Sequence, residues 1–145
     1  MSITQTTPQQ QINAYLMQQI ERRKAAILNV FNYVGMTCVN EARINGSYRD
    51  RTGNLRSSVG YIVVQDGKIV NESAFSLNAG GEEGAAFIKK LAAESPHRIA
   101  LIVVAGMKYA KYVEALNFNV LTSAELHAQA MVPELMKTLG FTTAT

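Results

Sequence analysis

The chain has 145 residues, of which 48% are hydrophobic and 17% charged, so it is long enough to bury one hydrophobic core and too apolar to be disordered. Its single cysteine, Cys38, excludes an internal disulfide and favours a reducing compartment. No apolar run reaches the roughly 20 residues that cross a membrane, and the polar opening has no pattern of a secretory signal, so we expect a soluble protein.

The positive charge is concentrated in one short segment. Fourteen Lys and Arg against eleven Asp and Glu give a net charge of +3. Residues 43–56 alone carry this charge, since they contain Arg43, Arg49, Arg51 and Arg56 but only Asp50 as an acidic residue. A protein that coats nucleic acid would spread its basic residues over a whole face. The pattern instead indicates a single arginine-rich segment.

The first predicted element is a long amphipathic helix from about Pro8 to Asn45. At 1.5 Å per residue it is about 55 Å long, whereas a domain of this size has a diameter of about 40 Å. We therefore expect the helix to project from its domain or to bend at Gly35. A projecting apolar stripe needs a second chain to cover it. The stripe recurs at steps of three and four, the period of one helix face, and consists of Ile12, Leu16, Ile20, Ile27, Phe31, Val34 and Cys38.

The middle of the chain predicts a loop, a hairpin and a short helix. Residues 46–58 are rich in Arg, Asn, Gly and Ser, which is typical of a long loop. Residues 61–70 predict a β-hairpin, because the Asp-Gly at its centre provides the positive φ angles of a tight type I′ turn. The second strand is expected to end near Phe75. Residues 78–81 then break the chain before a short helix over 85–94.

The last third predicts one strand and two helices. Residues 99–105 are continuously apolar, which favours a strand buried on both faces in the middle of the sheet. A short helix over 109–116 follows. Residues 122–125 have the capping-box pattern and open a final helix that ends near Leu139, with Pro133 expected to kink or restart it.

Together these elements predict one α+β domain over residues 1–145. Its long N-terminal helix (about 8–45) packs on a small, mainly antiparallel sheet that consists of a β-hairpin and a central strand. The arginine-rich loop spans 46–58, and the sheet with two or three further helices spans 59–140.

The residue types that usually carry catalysis or metal binding form no recognisable site. His97 and His127 are thirty residues apart, and neither has a second ligand at metal-binding spacing. Cys38 lies on the apolar stripe, so we interpret it as a small core residue. The glycine-rich run 80–84 is interpreted as a flexible connection, because its two carboxylates would oppose a bound phosphate. We expect no enzyme activity, no cofactor and no metal.

The arginine-rich loop is the strongest candidate for an interaction site. Arg49, Arg51 and Arg56 alternate with small polar residues, and guanidinium groups beside hydroxyls suit nucleic-acid phosphates. Two other interpretations stay open: a solvated loop, or arginines that pair with acidic residues of a neighbouring copy.

Two motifs in a fixed order resemble a known family. Residues 50–60 read DRTGNLRSSVG, and residues 106–114 read GMKYAKYVE. Following a long N-terminal helix, they resemble the tail-completion or minor tail-component family of long-tailed bacteriophages. That family has a Thr-Gly-Asn-Leu-Arg-Ser turn entering a strand and a Tyr-Ala-x-Tyr-Val-Glu signature after the last strand. Residues 115–121 depart from the family pattern, which continues with Phe-Gly-Thr and a proline-rich stretch.

The resemblance implies a structural virion protein. Such a protein forms a homo-oligomeric ring, a hexamer by analogy, between the head connector or stopper and the tail tube. It is assembled in the cytoplasm of the bacterial host, acts in the neck of the virion, and has no membrane partner. The alternative from another class is a small nucleic-acid-binding protein that uses the loop from Arg49 to Arg56.

The resemblance also assigns expected roles to the residues of the first motif. Asn54 shapes the tight turn together with the threonine and glycine before it. Leu55 anchors the loop on the core. Arg51 and Arg56 point outward, and the loop from Arg49 to Arg56 is expected to contact an adjacent ring or genomic DNA in the channel.

In the second motif, the resemblance implies a helix at a subunit boundary. Tyr109 and Tyr112 share one helical face, and Glu114 is expected to reach an arginine of the same chain or of a neighbour. The alternative is that Tyr109 packs on the sheet of its own subunit.

Overall fold

A computed structural model describes residues 2–94, 99–108, 110–116 and 118–141, with only the backbone of Tyr112. The described part is an α+β fold, as predicted, in which a long helix packs on a three-stranded antiparallel sheet. Its elements in chain order are α1 (Gln9–Asn45), α2 (Asn54–Ser57), β1 (Val59–Gln65), β2 (Lys68–Glu72), α3 (Ala79–Ala93), β3 (Ile99–Ala105), α4 (Ala110–Ala115) and α5 (Thr122–Thr138).

The sheet has the order β2-β1-β3, so the first strand is the central one. β1 pairs antiparallel with β3 over its full length, from Val59 opposite Ala105 to Gln65 opposite Ile99. The expectation that residues 99–105 lie in the middle of the sheet is therefore wrong. β3 is an edge strand, and β1 is the strand whose residues are almost all buried.

Helices cover both faces of β1 and β3, which explains why the edge strand β3 is apolar throughout, whereas β2 at the other edge is largely exposed. Alternate β1 side chains, including Tyr61 and Val63, pack with α1 and α5 in one cluster. Their neighbours Ile62 and Val64 face the other way and pack against Ile88 of α3. Because a strand between two helical layers has no solvent face, its hydrophobic residues do not alternate with polar ones.

The predicted hairpin turn is confirmed. Asp66 and Gly67 connect β1 to β2 with φ angles of 52° and 79°, the left-handed values that a type I′ turn requires. β2 ends at Glu72 rather than near Phe75. The Phe75 side chain instead packs against the core cluster under α3.

Helix α1 runs unbroken for 37 residues, from Gln9 to Asn45, close to its predicted bounds. Its buried residues all lie between Val34 and Ala42. Gly35 allows this part to approach the sheet closely, because a Cβ there would overlap the ring of Tyr61. Only the C-terminal half of α1 therefore belongs to the core.

The remaining helices differ from their predictions in detail. α3 begins at Ala79, so the glycine run is its first turns and not a flexible connection. Gly80 is buried against α2, where a Cβ would overlap the backbone of Asn54. α4 covers 110–115, and α5 continues through Pro133 without a break in its assignment. No helix in the described ranges is both long and apolar enough to span a bilayer.

Candidate interaction site

Residues 46–58 form a fixed substructure on the core rather than a long loop. Leu55 is only 2% exposed and packs with Tyr48, Ala110 and Val120 in a separate apolar cluster. It belongs to the short helix α2, which replaces the last part of the predicted loop. The anchoring role expected of Leu55 is confirmed.

The turn before α2 has the geometry expected from its sequence. Gly53 has a φ of 75°, a left-handed value that favours glycine. The hydroxyl of Thr52 accepts a hydrogen bond from the backbone N–H of Asn54 at 3.3 Å. The Asn54 carbonyl in turn accepts from the N–H of Ser58 at 2.9 Å. Asn54 therefore shapes the turn through its backbone.

Arg56 does not face outward, contrary to the expectation. Its Nε donates to the carbonyl oxygen of Arg43 at 2.9 Å, and its Nη2 donates to that of Gly46 at 3.0 Å. The guanidinium also lies over the ring of Tyr48, 5.0 Å from the centroid. Because the last carbonyls of a helix have no partner within it, Arg56 satisfies the C-terminal end of α1.

Two further contacts fix the same corner of the molecule. The backbone N–H of Arg56 donates to the Asp50 carboxylate at 2.9 Å. Arg43, at the end of α1, donates from Nη2 to the carbonyl of Val59 at 2.6 Å. Burial lowers the pKa of Arg43. Two of the four arginines in 43–56 are thus structural.

The other two arginines, Arg49 and Arg51, are exposed. Neither side chain makes a hydrogen bond or an ion pair with a described residue. Of the three arginines of the predicted interaction loop, these two remain available to a partner.

Glu114 contacts backbone amides rather than an arginine. Its carboxylate accepts hydrogen bonds from the N–H groups of Val120 at 2.8 Å and of Leu121 and Thr122 at 3.1 Å. The Thr122 hydroxyl also donates to it. Glu114 therefore caps the start of α5, where no side-chain capping bond comes from within residues 122–125.

These contacts change the acidity of Glu114. Its partial burial tends to raise the pKa, but the hydrogen bonds from the Thr122 hydroxyl and the three backbone amides outweigh this effect. The pKa is therefore lowered from its ordinary value of 4.5. A carboxylate at a helix N-terminus is also favoured by the helix dipole.

The two sequence motifs lie against each other. Ser58, in the first motif, accepts hydrogen bonds from Gly106 N–H at its carbonyl (3.1 Å) and from Met107 N–H at its hydroxyl (3.3 Å). Ala110 of the second motif packs in the Leu55 cluster. Tyr109 and the side chain of Tyr112 lie outside the described residues. The sequence contains no local signal for the contact between the two motifs, because they are about fifty residues apart.

Cys38 lies beside an apolar groove. The groove has a volume of about 310 Å³ and is lined by residues of α1, β3 and α5, among them Leu101, Val103 and Ala124. Cys38 itself is 1% exposed, which confirms its interpretation as a core residue. Burial, and secondarily the charge of Glu41, raises the pKa of its thiol. Within the described ranges, no three His, Cys, Asp or Glu side chains group as metal ligands would.

Comparisons of the chain with protein-family models, with curated proteins and with solved structures gave no match.

Proposed function

We propose that the chain is a structural subunit of a phage or prophage particle, and that it assembles as a homo-oligomeric ring at the head-to-tail junction. The observation that carries the proposal is the projecting N-terminal half of α1. Several of its apolar side chains are about half exposed in the described part of the chain, as expected of a subunit whose apolar surface a neighbouring subunit covers.

Several exposed apolar side chains lie near the N-terminal end of α1. The guanidinium of Arg23, further along the helix, stacks on the ring of Phe141, just after α5, at 5.6 Å. In the projecting half, Tyr15, Leu16, Met17 and Ile20 are between 46% and 61% exposed. Covering such side chains with those of a second subunit removes apolar surface from water and favours assembly.

The contact between the two motifs also supports the proposal. Residues 50–60 and 106–114 carry the resemblance to the phage family, and they form one corner of the fold through Ser58 and the Leu55 cluster. We infer that this corner faces an adjacent ring or the channel, and that α1 joins neighbouring subunits.

The experiment is to measure the mass of the assembly in two double variants. Leu16→Ala with Ile20→Ala removes apolar surface from the projecting half, whereas Gln11→Ala with Gln18→Ala is the matched control on exposed polar positions of the same half. Alanine is the strongest helix former, so α1 is retained in both. The proposal predicts rings for the control and smaller species for the apolar variant, seen by light scattering and negative-stain microscopy. Equal masses for the two variants would contradict it.

A small nucleic-acid-binding protein is the second candidate, because Arg49 and Arg51 are exposed and unpaired within the described chain. The inward orientation of Arg56 weakens it, since the loop then offers two free guanidinium groups and not three. This candidate predicts a protein that binds nucleic acid as a monomer and forms no ring.

A further inference from the structure

The packing of the two motifs brings cations from distant parts of the sequence to one surface. Arg49 directly precedes the first motif and Arg51 lies in it, whereas Lys108 and Lys111 lie in the second motif. All four side chains are exposed. Tyr48, Met107 and Ala110, which are chain neighbours of Arg49, Lys108 and Lys111, pack in the apolar cluster around Leu55. Arg51 lies in the segment between Tyr48 and Leu55, two members of that cluster. The four residues, which we call the basic surface, therefore surround a single cluster.

The cations of the basic surface are free to bind a partner. The described residues show two ion pairs, Lys24 with Glu21 and Lys137 with Glu134, and neither involves this surface. None of the four side chains hydrogen-bonds to another described residue.

The carboxylates closest to the basic surface in the chain are already engaged. Asp50 accepts the N–H of Arg56, and Glu114 accepts the amides at the start of α5. Glu83 lies on α3 near Gly106 and is half-buried. The Asp50 and Glu114 carboxylates are thus held by backbone amides, whereas Glu125 of α5 is exposed and lines the same groove as Lys111.

The character of the surface favours a nucleic-acid backbone over an acidic protein. Protein interfaces are centred on large apolar or aromatic side chains that become fully buried. The described residues of 48–58 and 106–111 include no large exposed apolar side chain. A set of long, separately mobile cations without an apolar centre instead suits evenly spaced phosphates, which contribute binding energy without requiring base contacts.

We propose that Arg49, Arg51, Lys108 and Lys111 form a sequence-independent binding surface for the phosphates of duplex DNA. The inference rests on the proposed function, in which the duplex is the genome that passes through the ring. The proposed DNA surface differs from the loop interpretation in two ways. It adds Lys108 and Lys111 from the second motif, and it leaves out Arg56, which holds the end of α1.

The test uses a fluorescent 20-base-pair duplex of arbitrary sequence and the full chain. The basic surface is neutralised by changing all four residues to Gln. The matched control changes four other exposed cations to Gln, namely Arg22, Lys68, Lys89 and Lys90. Both variants lose the same charge, and circular dichroism verifies that both are folded.

We expect the surface variant to bind the duplex at least about 10-fold more weakly than the control at low salt. Because each neutralised phosphate releases counterions, four contacts predict a fall of about 100-fold in the affinity of the native chain between 50 and 200 mM salt. Equal binding by the two variants would overturn the inference. So would stronger competition by poly-glutamate than by unlabelled duplex, which would indicate an acidic protein partner.

Light scattering on the same samples separates the two proposals. A ring that does not bind the duplex overturns the DNA surface and leaves the ring intact. A monomer that binds through the basic surface supports the DNA surface and overturns the ring.

Discussion

The guanidinium of Arg56 donates to the carbonyl oxygen of Arg43 across 2.9 Å, so the second arginine of the first motif closes the end of the long helix. A guanidinium has five donors in a rigid fork and can satisfy two carbonyls at once, which a lysine cannot do with the same geometry. The arginine of the motif Thr-Gly-Asn-Leu-Arg-Ser therefore has a structural role: it satisfies the carbonyls at the end of α1 and fixes the chain that follows.

Changing Arg56 to Ala is expected to destabilise the fold. The change removes charge-assisted hydrogen bonds to two helix-end carbonyls and the stacking on Tyr48, so we expect the free energy of unfolding to fall by about 2–3 kcal/mol. Urea unfolding followed by circular dichroism measures it. Arg51→Ala is the control, because an exposed side chain without partners changes stability by less than about 0.5 kcal/mol. Equal losses in the two variants would contradict the structural role of Arg56.

Glu114 is expected to make stability depend on acid pH. Its pKa is lower in the folded chain than the ordinary 4.5, so its contribution is fully present above that pH and is lost as the pH falls through the lowered value. Glu114→Gln should be less stable at pH 7 and should lose less stability than the native chain between pH 5 and pH 3.

The measurement is thermal unfolding across that pH range. Glu94→Gln, at the exposed end of α3, is the control and is expected to follow the native curve. A Glu114→Gln variant with the native pH profile would show that the carboxylate does not cap α5.

Gly35→Ala is expected to lower stability although alanine is the better helix former. A Cβ at this position would overlap the ring of Tyr61, which is held by a hydrogen bond of 2.6 Å from its hydroxyl to Asn32. Forcing atoms into a packed core costs about 1–3 kcal/mol. Met36→Ala, one residue on and half exposed, is the comparison. If calorimetric unfolding shows that the Gly35→Ala variant is as stable as the Met36→Ala variant or more stable, the close packing is contradicted.

Cys38 is expected to resist alkylation in the native chain. The thiolate is the reactive form, and burial raises the pKa of this thiol. At pH 8 a maleimide or iodoacetamide should react slowly with the folded protein and rapidly after unfolding in urea, as followed by mass spectrometry. Rapid labelling without denaturant would mean that the groove lined by Cys38 and Ala124 opens in solution.

The sequence predicts local elements well because their signals are local. The apolar period of α1 persists from Ile12 to Cys38, over about seven turns, and both ends of the helix are predicted within a residue. Asp66-Gly67 determines its hairpin turn without help from the rest of the fold. The strand order is not local. Because β1 and β2 pair directly in the hairpin, β3 can only join an edge of the sheet, and its pairing with β1 rather than β2 is a long-range contact that no local signal specifies.

The candidate site is predicted only in part, for the same reason. Leu55 is recognisable as an anchor because it is the apolar residue of a polar segment. The roles of Arg56 and Glu114 depend on backbone groups that the fold brings to them. The capping-box pattern at 122–125 predicts that side chains of α5 accept hydrogen bonds from its first backbone amides, but Glu114 accepts them instead. A carboxylate already held in place competes with a side chain of the helix itself.

The measurement that tests the central claim most directly is the solution mass of the full chain by light scattering over a concentration series. The account predicts a closed assembly, near six times the 15.9 kDa of one chain, that becomes smaller when Leu16 and Ile20 are changed to Ala. A monomer at every concentration, with the same mass in the native chain and in that variant, would contradict it.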